Sequence, residues 1–326
     1  MKKIRLQPVL SDETTNNLVG KFIDNTFIKH HIKEDTEVYN EKNELLAVLK
    51  KNAVSKKNIE LARLPLRRAA NNTSQNRGQA AGELEKILKI GDIVQGQVVG
   101  KIKGSRYIPL LKNGTLSNTC LALPVKSSVI GYMDRYPRMP YCRTTAYTQK
   151  NLLAFKSCLP YIKDIDTIFK MYAPERYAKQ KAIADASSPD FVIEDTSFTT
   201  VTVNKNFRTA CHTDAGDFAK GFGNLGVISM GKYEGFITVI PKYGLGIDVQ
   251  NSDIALFDVH EVHGNTEPVK ITHYERISVV CYYREKMIYC GSQEYELNRA
   301  KTETKKTMLP NEIKKVKKIK QRINEI

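Results

Sequence analysis

From Thr196 onward the chain breaks into short β-branched runs punctuated by Gly, Asn or Asp: FTTVTVN, GVISM, GFITVIP, GIDVQ, DIALFDV and RISVVCYYR. Short strands at that spacing predict an antiparallel sandwich or barrel, and cupin-like double-stranded β-helices are jelly rolls of this kind. Upstream, TEVYNEKNELLAVLKK (36–51) predicts a β-hairpin with a polar turn at Asn40–Asn43. The segment 56–83 is mixed and closes on the turn-like QNRGQAAGE. ELEKILKI (83–90) has helical spacing, DIVQGQVVGKIK reads as strand, 127–146 as an aromatic, Arg-rich connection with two prolines, and 148–187 as helical. The fold class expected is α+β: a double-stranded β-helix (jelly-roll, cupin-like) core with flanking helices. Four segments are expected: an N-terminal hairpin and helical region (1–95), a central helical region with the Arg/Tyr-rich loop (96–194), the core (195–292) and a basic tail (293–326).

Composition changes this picture in three ways. The 326 residues suit one large domain or two modest ones. Lys and Arg number 51 against 35 Asp and Glu, a formal charge of +16, which favours an anionic partner, with nucleic acid the usual one. The basic start MKKIRLQPVL has no apolar run of signal-peptide length, and no stretch approaches the ~20 apolar residues of a membrane span. An intracellular protein, cytoplasmic or nuclear, monomeric and without membrane contact, is expected. Six cysteines (120, 142, 158, 211, 281, 290) show no regular spacing, so buried free thiols are expected rather than a zinc ribbon or disulfide framework. Residues 299–322 carry ten basic side chains against two acidic, with Ile313, Val316, Ile319 and Ile323 as a thin apolar stripe. That predicts an amphipathic basic helix, an arm that orders on a polyanion, or a solvated tail.

The candidate chemistry sits in RTACHTDAGD (208–217). In a strand or its exit, residues i and i+2 point the same way, so His212 and Asp214 can grip one ion. Non-haem Fe(II) oxygenases use two His and one carboxylate, leaving positions open for co-substrate and O2. HxD alone is weak, and His273–Tyr274–Glu275 is a decoy with no histidine after it. Downstream of His212, ALFDVHEVHGNTEP offers His260 and His263, and both remain candidates for the third ligand. Beyond them Arg276 could clamp the distal carboxylate of 2-oxoglutarate bidentately, with Ser278 on the same strand face adding a hydroxyl. Asn206 and Arg208 are candidates for its 1-carboxylate.

VNKNFRTACHTDAGD, DIALFDVHEVHGNTE and RISVVCYYR together resemble the oxygenase domain of the J-binding proteins and TET enzymes. These are Fe(II)/2-oxoglutarate dioxygenases that hydroxylate the methyl group of thymine or 5-methylcytosine in DNA. The H-x-N-T-E around His263 and the terminal YYR lie closer to the J-binding-protein side and favour His263 over His260. The resemblance is specific over about 195–290, thinner over 36–50 and 127–146, and does not reach the basic tail. The cysteine-rich zinc region of TET enzymes is absent from the sequence. The resemblance implies Fe(II) and 2-oxoglutarate as cofactors, O2 as co-substrate, and a base flipped out of DNA. It places Tyr282 against that base, Arg284 where TET enzymes carry a base-contacting histidine, and Asp217 at a base-contacting asparagine. An Asp facing N3–H and an Arg facing a carbonyl lean toward thymine, although the same pair can also serve cytosine.

Two further groups are candidates for the entrance. MDRYPRMPYCR interleaves Arg135, Arg138 and Arg143 with aromatics, which suits phosphate contact and stacking. NNTSQNRG holds Asn76 and Arg77 in a polar turn that reads as a plain loop. The competing readings are an oxygenase of the same chemistry acting on protein or small molecules, and a silent DNA-binding module that kept the barrel.

Overall fold

Helices, a large sheet and a small sheet stack in three layers. The structure is a computed structural model that describes residues 1–302 and 306–325. The large sheet runs in the order Lys2–Arg5, Thr36–Tyr39, Leu45–Lys50, Ile254–Phe257, Gly223–Met230, Glu275–Tyr282, Thr200–Lys205, Val125–Met133, Arg143–Thr144. The small one runs Gly264–Asn265, Thr238–Ile240, Leu245–Ile247, His30–Ile32. The fold is α+β with a jelly-roll core, as the strand pattern predicts.

Strand periodicity sorts side chains between the layers. In Glu275–Tyr282, Ile277, Val279 and Cys281 join an apolar cluster with Phe155, Ile162 and Phe169 of the helix Leu152–Tyr172. The alternate residues Arg276, Ser278, Val280 and Tyr282 face the space between the sheets. In Thr200–Lys205, Val201 and Val203 face the helices while Thr202 and Asn204 face inward. The long helix forms because Phe155, Cys158, Tyr161, Ile162, Ile165 and Phe169 recur at three- and four-residue steps on one side. The helix Lys56–Ala70 packs beside it, its first turn capped by Ser55, whose hydroxyl accepts from the Asn58 N–H. Leu225 and Val227 meet Ile240, Leu245 and Ile247 of the small sheet in a second cluster.

Several expectations are corrected. Residues 83–90 form turns, not a helix; Leu84 is buried with Val94, Val99 and Tyr107 under a separate three-stranded sheet (Ile93–Val94, Gln97–Lys103, Arg106–Leu110), and Ile87 and Ile90 are exposed. Much of 127–146 is strand, because Val125–Met133 pairs antiparallel with Thr200–Asn204. Segments 1–95 and 96–194 both contribute strands to the large sheet, so its continuity crosses the expected boundaries. Cys142 and Cys290 form a disulfide; Cys158, Cys211 and Cys281 are free and buried, and Cys120 is free and exposed. A separation of 148 residues carries no spacing signal, which is why the sequence hid the pair. The tail is docked: Val316 and Ile323 of the helix Pro310–Asn324 are buried with Tyr283 and Met287, while Lys314, Lys315, Lys317 and Lys318 are exposed. Among the described residues no helix is long and apolar enough to cross a membrane.

Candidate active site

Two backbone segments, 209–214 and 259–265, lie side by side and bring the candidate metal ligands together. The His212 and His263 N–H groups each donate to the other's carbonyl, at 2.9 and 3.0 Å, Asn265 donates to the Thr209 carbonyl, and Asp214 donates to the Val259 carbonyl. Gly264 makes this approach possible, since a Cβ there would lie 3.0 Å from the Cys211 nitrogen. The ligand atoms of His212, Asp214 and His263 lie within 4.8 Å of one another. The Asp214 carboxylate is 3.7 Å from His212 Nε2 and 3.9 Å from His263 Nε2.

Each imidazole is oriented by its other nitrogen. Nδ1 of His212 lies 2.8 Å from the Ala210 carbonyl, and Nδ1 of His263 lies 3.0 Å from the Glu261 carbonyl. A carbonyl only accepts, so Nδ1 carries the proton and Nε2 presents its lone pair to the shared point. Burial, with the neighbouring His212, pushes the His263 imidazole down to about 4, so it is neutral near pH 7 and ready to ligate. His260 is engaged elsewhere: its Nδ1 lies 3.3 Å from an Asp258 carboxylate oxygen. The decoy is explained too, because Glu275 pairs with Arg67 at 2.7 Å and Lys205 at 2.9 Å.

One cavity of about 300 Å³ connects this trio to the inner face of Glu275–Tyr282. Arg276 is buried, lines the cavity and stacks over Phe236 at 5.0 Å, yet its Nε and Nη2 have no hydrogen-bond partner among the described residues. A buried guanidinium left so is strongly disfavoured without an anion to complete it. Ser278 lines the same wall, with Asn204 Nδ2 donating to its hydroxyl at 3.4 Å. Two imidazoles with Nε2 turned to the shared point, one carboxylate and a buried guanidinium with unsatisfied Nε and Nη2 fit an Fe(II) ion and the free carboxylate of a keto acid.

Asp217, Tyr282 and Arg284 also line the cavity. Segments 216–218 and 283–285 run antiparallel: Glu285 donates to the Gly216 carbonyl and Phe218 to the Tyr283 carbonyl. Arg284 Nε donates to Asp134 at 2.8 Å, and Tyr282 hydrogen-bonds Thr202 through its hydroxyl. Burial, then the charge of Asp214, raises the Asp217 carboxyl well above the usual carboxylate range, against the pull of Arg284.

Four sequence candidates lie elsewhere. Asn206 accepts the Arg276 N–H at 2.7 Å, fixing the backbone of the strand, and does not line the cavity. Arg208 turns away: its Nη2 donates to the Ile23 carbonyl at 2.8 Å and its guanidinium stacks over Phe22. Arg135 is 4 % exposed and committed to Glu296 and Glu312, tying the tail helices to the 134–142 loop instead of facing phosphate. Arg143 donates to the Asp134 and Tyr141 carbonyls and packs on Tyr136, and it too is outside the cavity lining. Conversely, Asn265 and Arg77 line the cavity. Asn265 stands two residues beyond His263, a spacing that could have flagged it; its amide oxygen accepts from Thr209 at 2.7 Å.

Residues 128–285 match the family model Tet_JBP, the oxygenase domain of the 2OGFeDO superfamily. Over 166 residues the chain is 40% identical to thymine dioxygenase JBP1-B of Trypanosoma cruzi (strain CL Brener), which covers 48% of this chain and 19% of that protein. Over 165 residues it is 38% identical to the bifunctional helicase and thymine dioxygenase JBP2 of Leishmania infantum, covering 50% of this chain and 15% of the relative. The chain thus spans about a fifth or less of the length of these curated relatives. The solved structure of NgTET1 in complex with 5mC DNA shares the fold, with a TM-score of 0.50 over 90% of this chain and 100% of that one, at 12% identity. Over residues 128–285, this chain is therefore similar to the Tet_JBP oxygenase domain of the 2OGFeDO superfamily.

Proposed function

We propose that this protein is an Fe(II)- and 2-oxoglutarate-dependent dioxygenase that hydroxylates the 5-methyl group of a pyrimidine in DNA. The observation that carries the reading is the His212–Asp214–His263 trio sharing one cavity with a buried Arg276 whose Nε and Nη2 have no hydrogen-bond partner among the described residues. His212, Asp214 and His263 would hold the iron; Arg276 and Ser278 would hold the distal carboxylate of the keto acid. When bound, iron and 2-oxoglutarate supply the oxidising power: O2 delivers one oxygen atom to the methyl group and one to succinate, with release of CO2.

The chain's own residues orient and enclose. The Nδ1–carbonyl bonds hold both imidazoles in one tautomer. Leu225, Phe257 and Val280 give the cavity an apolar wall that limits water. Asp217, Tyr282 and Arg284 line it together, and a base reaching the trio must leave its helix stack to do so. Both curated relatives named above are thymine dioxygenases, and an Arg at position 284 supplies a donor for a pyrimidine carbonyl; thymine is therefore the favoured base. The formal charge of +16 suits a polyanionic substrate, and such an enzyme would work in whichever compartment, nucleus or cytoplasm, holds that DNA.

The test is incubation with Fe(II), 2-oxoglutarate and DNA containing thymine or 5-methylcytosine, followed by digestion and nucleoside mass spectrometry. A 5-hydroxymethyl pyrimidine dependent on both cofactors supports the proposal. Succinate formation stimulated by a peptide or small molecule but not by DNA would reject it.

A further inference from the structure

The loop 73–81 brings one unexplained charge into the cavity. Arg77 lines it, and its Nε is fully enclosed without a hydrogen-bond partner. Among the described residues the Arg77 side chain makes no hydrogen bond or ion pair, although the residue as a whole is only half-buried. Its charge lies within electrostatic reach of Tyr282, Asp214 and Arg284. These are the carboxylate of the metal trio and two of the base-contacting candidates.

The loop is not free to withdraw that side chain. Thr73–Ser74 pairs with Val125–Lys126 of the large sheet. The Ala80 carbonyl accepts from the Ala210 N–H, two residues before His212. The Gln75 carbonyl accepts from Ala122, and its amide donates to the hydroxyl of the fully buried Tyr107 in the three-stranded sheet. Gly78, at φ +52, turns the chain immediately after Arg77, so the guanidinium is held inward by a loop anchored on both sides. The loop itself and the three-stranded sheet that braces it lie outside residues 128–285, the part matched by the family model.

We propose that Arg77 is a substrate-contacting residue: its guanidinium donates to an acceptor oxygen of the flipped pyrimidine nucleotide, opposite Arg284 and beside Tyr282. The physical reason is that an enclosed Nε donor left unused in a cavity wall is completed by an acceptor brought in by a ligand. This rests on the DNA reading above, and it adds a second guanidinium at the substrate end. The three-stranded sheet then serves to hold the loop that carries it.

The experiment compares wild type, Arg77→Gln and Arg77→Lys. It measures KM for a substrate oligonucleotide, KM for 2-oxoglutarate, and oligonucleotide affinity by fluorescence anisotropy without iron or keto acid. Loss of a charge-assisted bond predicts an oligonucleotide KM and Kd raised by about 10- to 100-fold in Arg77→Gln, with 2-oxoglutarate KM within about twofold. Arg77→Lys keeps the charge but not the fork and recovers part of the loss. A raised 2-oxoglutarate KM with unchanged oligonucleotide values would assign Arg77 to the keto acid and overturn the inference; so would no change in either. If wild type makes no product from thymine or 5-methylcytosine DNA, the DNA reading itself falls, and the inference with it. An active wild type with an unaffected Arg77→Gln sinks the inference alone.

Discussion

His212 and His263 face each other across an isolated antiparallel bridge, their ring centroids 4.4 Å apart, although 50 intervening residues include five strands. The backbone pairing brings the rings together, and the two Nδ1–carbonyl bonds aim them. A metal site built this way depends on the register of the two segments as much as on the ligands.

His263→Ala should remove bound iron and lower turnover by more than about 100-fold, because one of three protein ligands is lost. His260→Ala should retain iron, since its imidazole is bonded to Asp258. Metal content of the purified variants, measured alongside product formation, checks both; equal loss in the two would show that His260 also ligates.

Arg276→Leu should raise the 2-oxoglutarate KM by at least about 30-fold while leaving the ligand-free protein as stable as wild type or more so. The variant removes a buried charge whose Nε and Nη2 are unpartnered. Thermal unfolding with and without 2-oxoglutarate reads both effects: the ligand should raise Tm in wild type by mass action and fail to do so in the variant. Strong destabilisation of the ligand-free variant would mean that Arg276 is structurally paired.

Arg135→Ala should cost stability of about 3 kcal/mol, because it removes the direct ion pair of the buried Glu296 and leaves it Arg299 at 3.9 Å and the Cys142 and Gly291 N–H groups. Urea denaturation measures this. The salt dependence of DNA binding should be unchanged, whereas a shallower slope would return Arg135 to a phosphate-contacting role.

Glu275 gives a pH-dependent prediction. Burial works to raise its pKa, but the hydrogen bonds and charges of Lys205 and Arg67 outweigh it and leave the carboxyl below its ordinary value. A lowered folded-state pKa gives stability that is complete above the unfolded value of about 4.3 and disappears as pH falls through the folded value. Glu275→Gln should therefore cost about 1 kcal/mol at pH 7, a modest figure because Arg67 is half in water, and the gap should narrow progressively once pH falls below the unfolded value. Denaturation curves at pH 7, 5 and 4 test this; a gap that widens on acidification would contradict it.

Alternation along RISVVCYYR made much of the site legible before any coordinates. Arg276, Ser278 and Tyr282 must share a face if the run is a strand, and the structure puts all three on the cavity. HxD likewise needed only the two-residue repeat. The choice between His260 and His263 was not decided by spacing, since three residues in a strand exit fix no common face; the backbone bridge to His212 decides it. Arg135 looked like a surface basic because neither Glu296 nor Glu312 is near it in sequence, whereas Arg143 is held by the nearby Asp134 and Tyr141 carbonyls, acceptors that residue type does not reveal. Arg77 looked like a loop residue because its neighbours in space, Asp214, Tyr282 and Arg284, are more than a hundred residues away.

The sequence by itself determined the strands, the inward-facing set on each, and the ligand types, because strand periodicity and donor chemistry are local properties. Tertiary structure alone decided which charges are satisfied by protein and which are left for a ligand. Burial and ion pairing depend on where distant segments meet: they occupy Arg135 with two glutamates and Arg208 with a turn, while leaving Arg77 and Arg276 with unused donors inside the cavity.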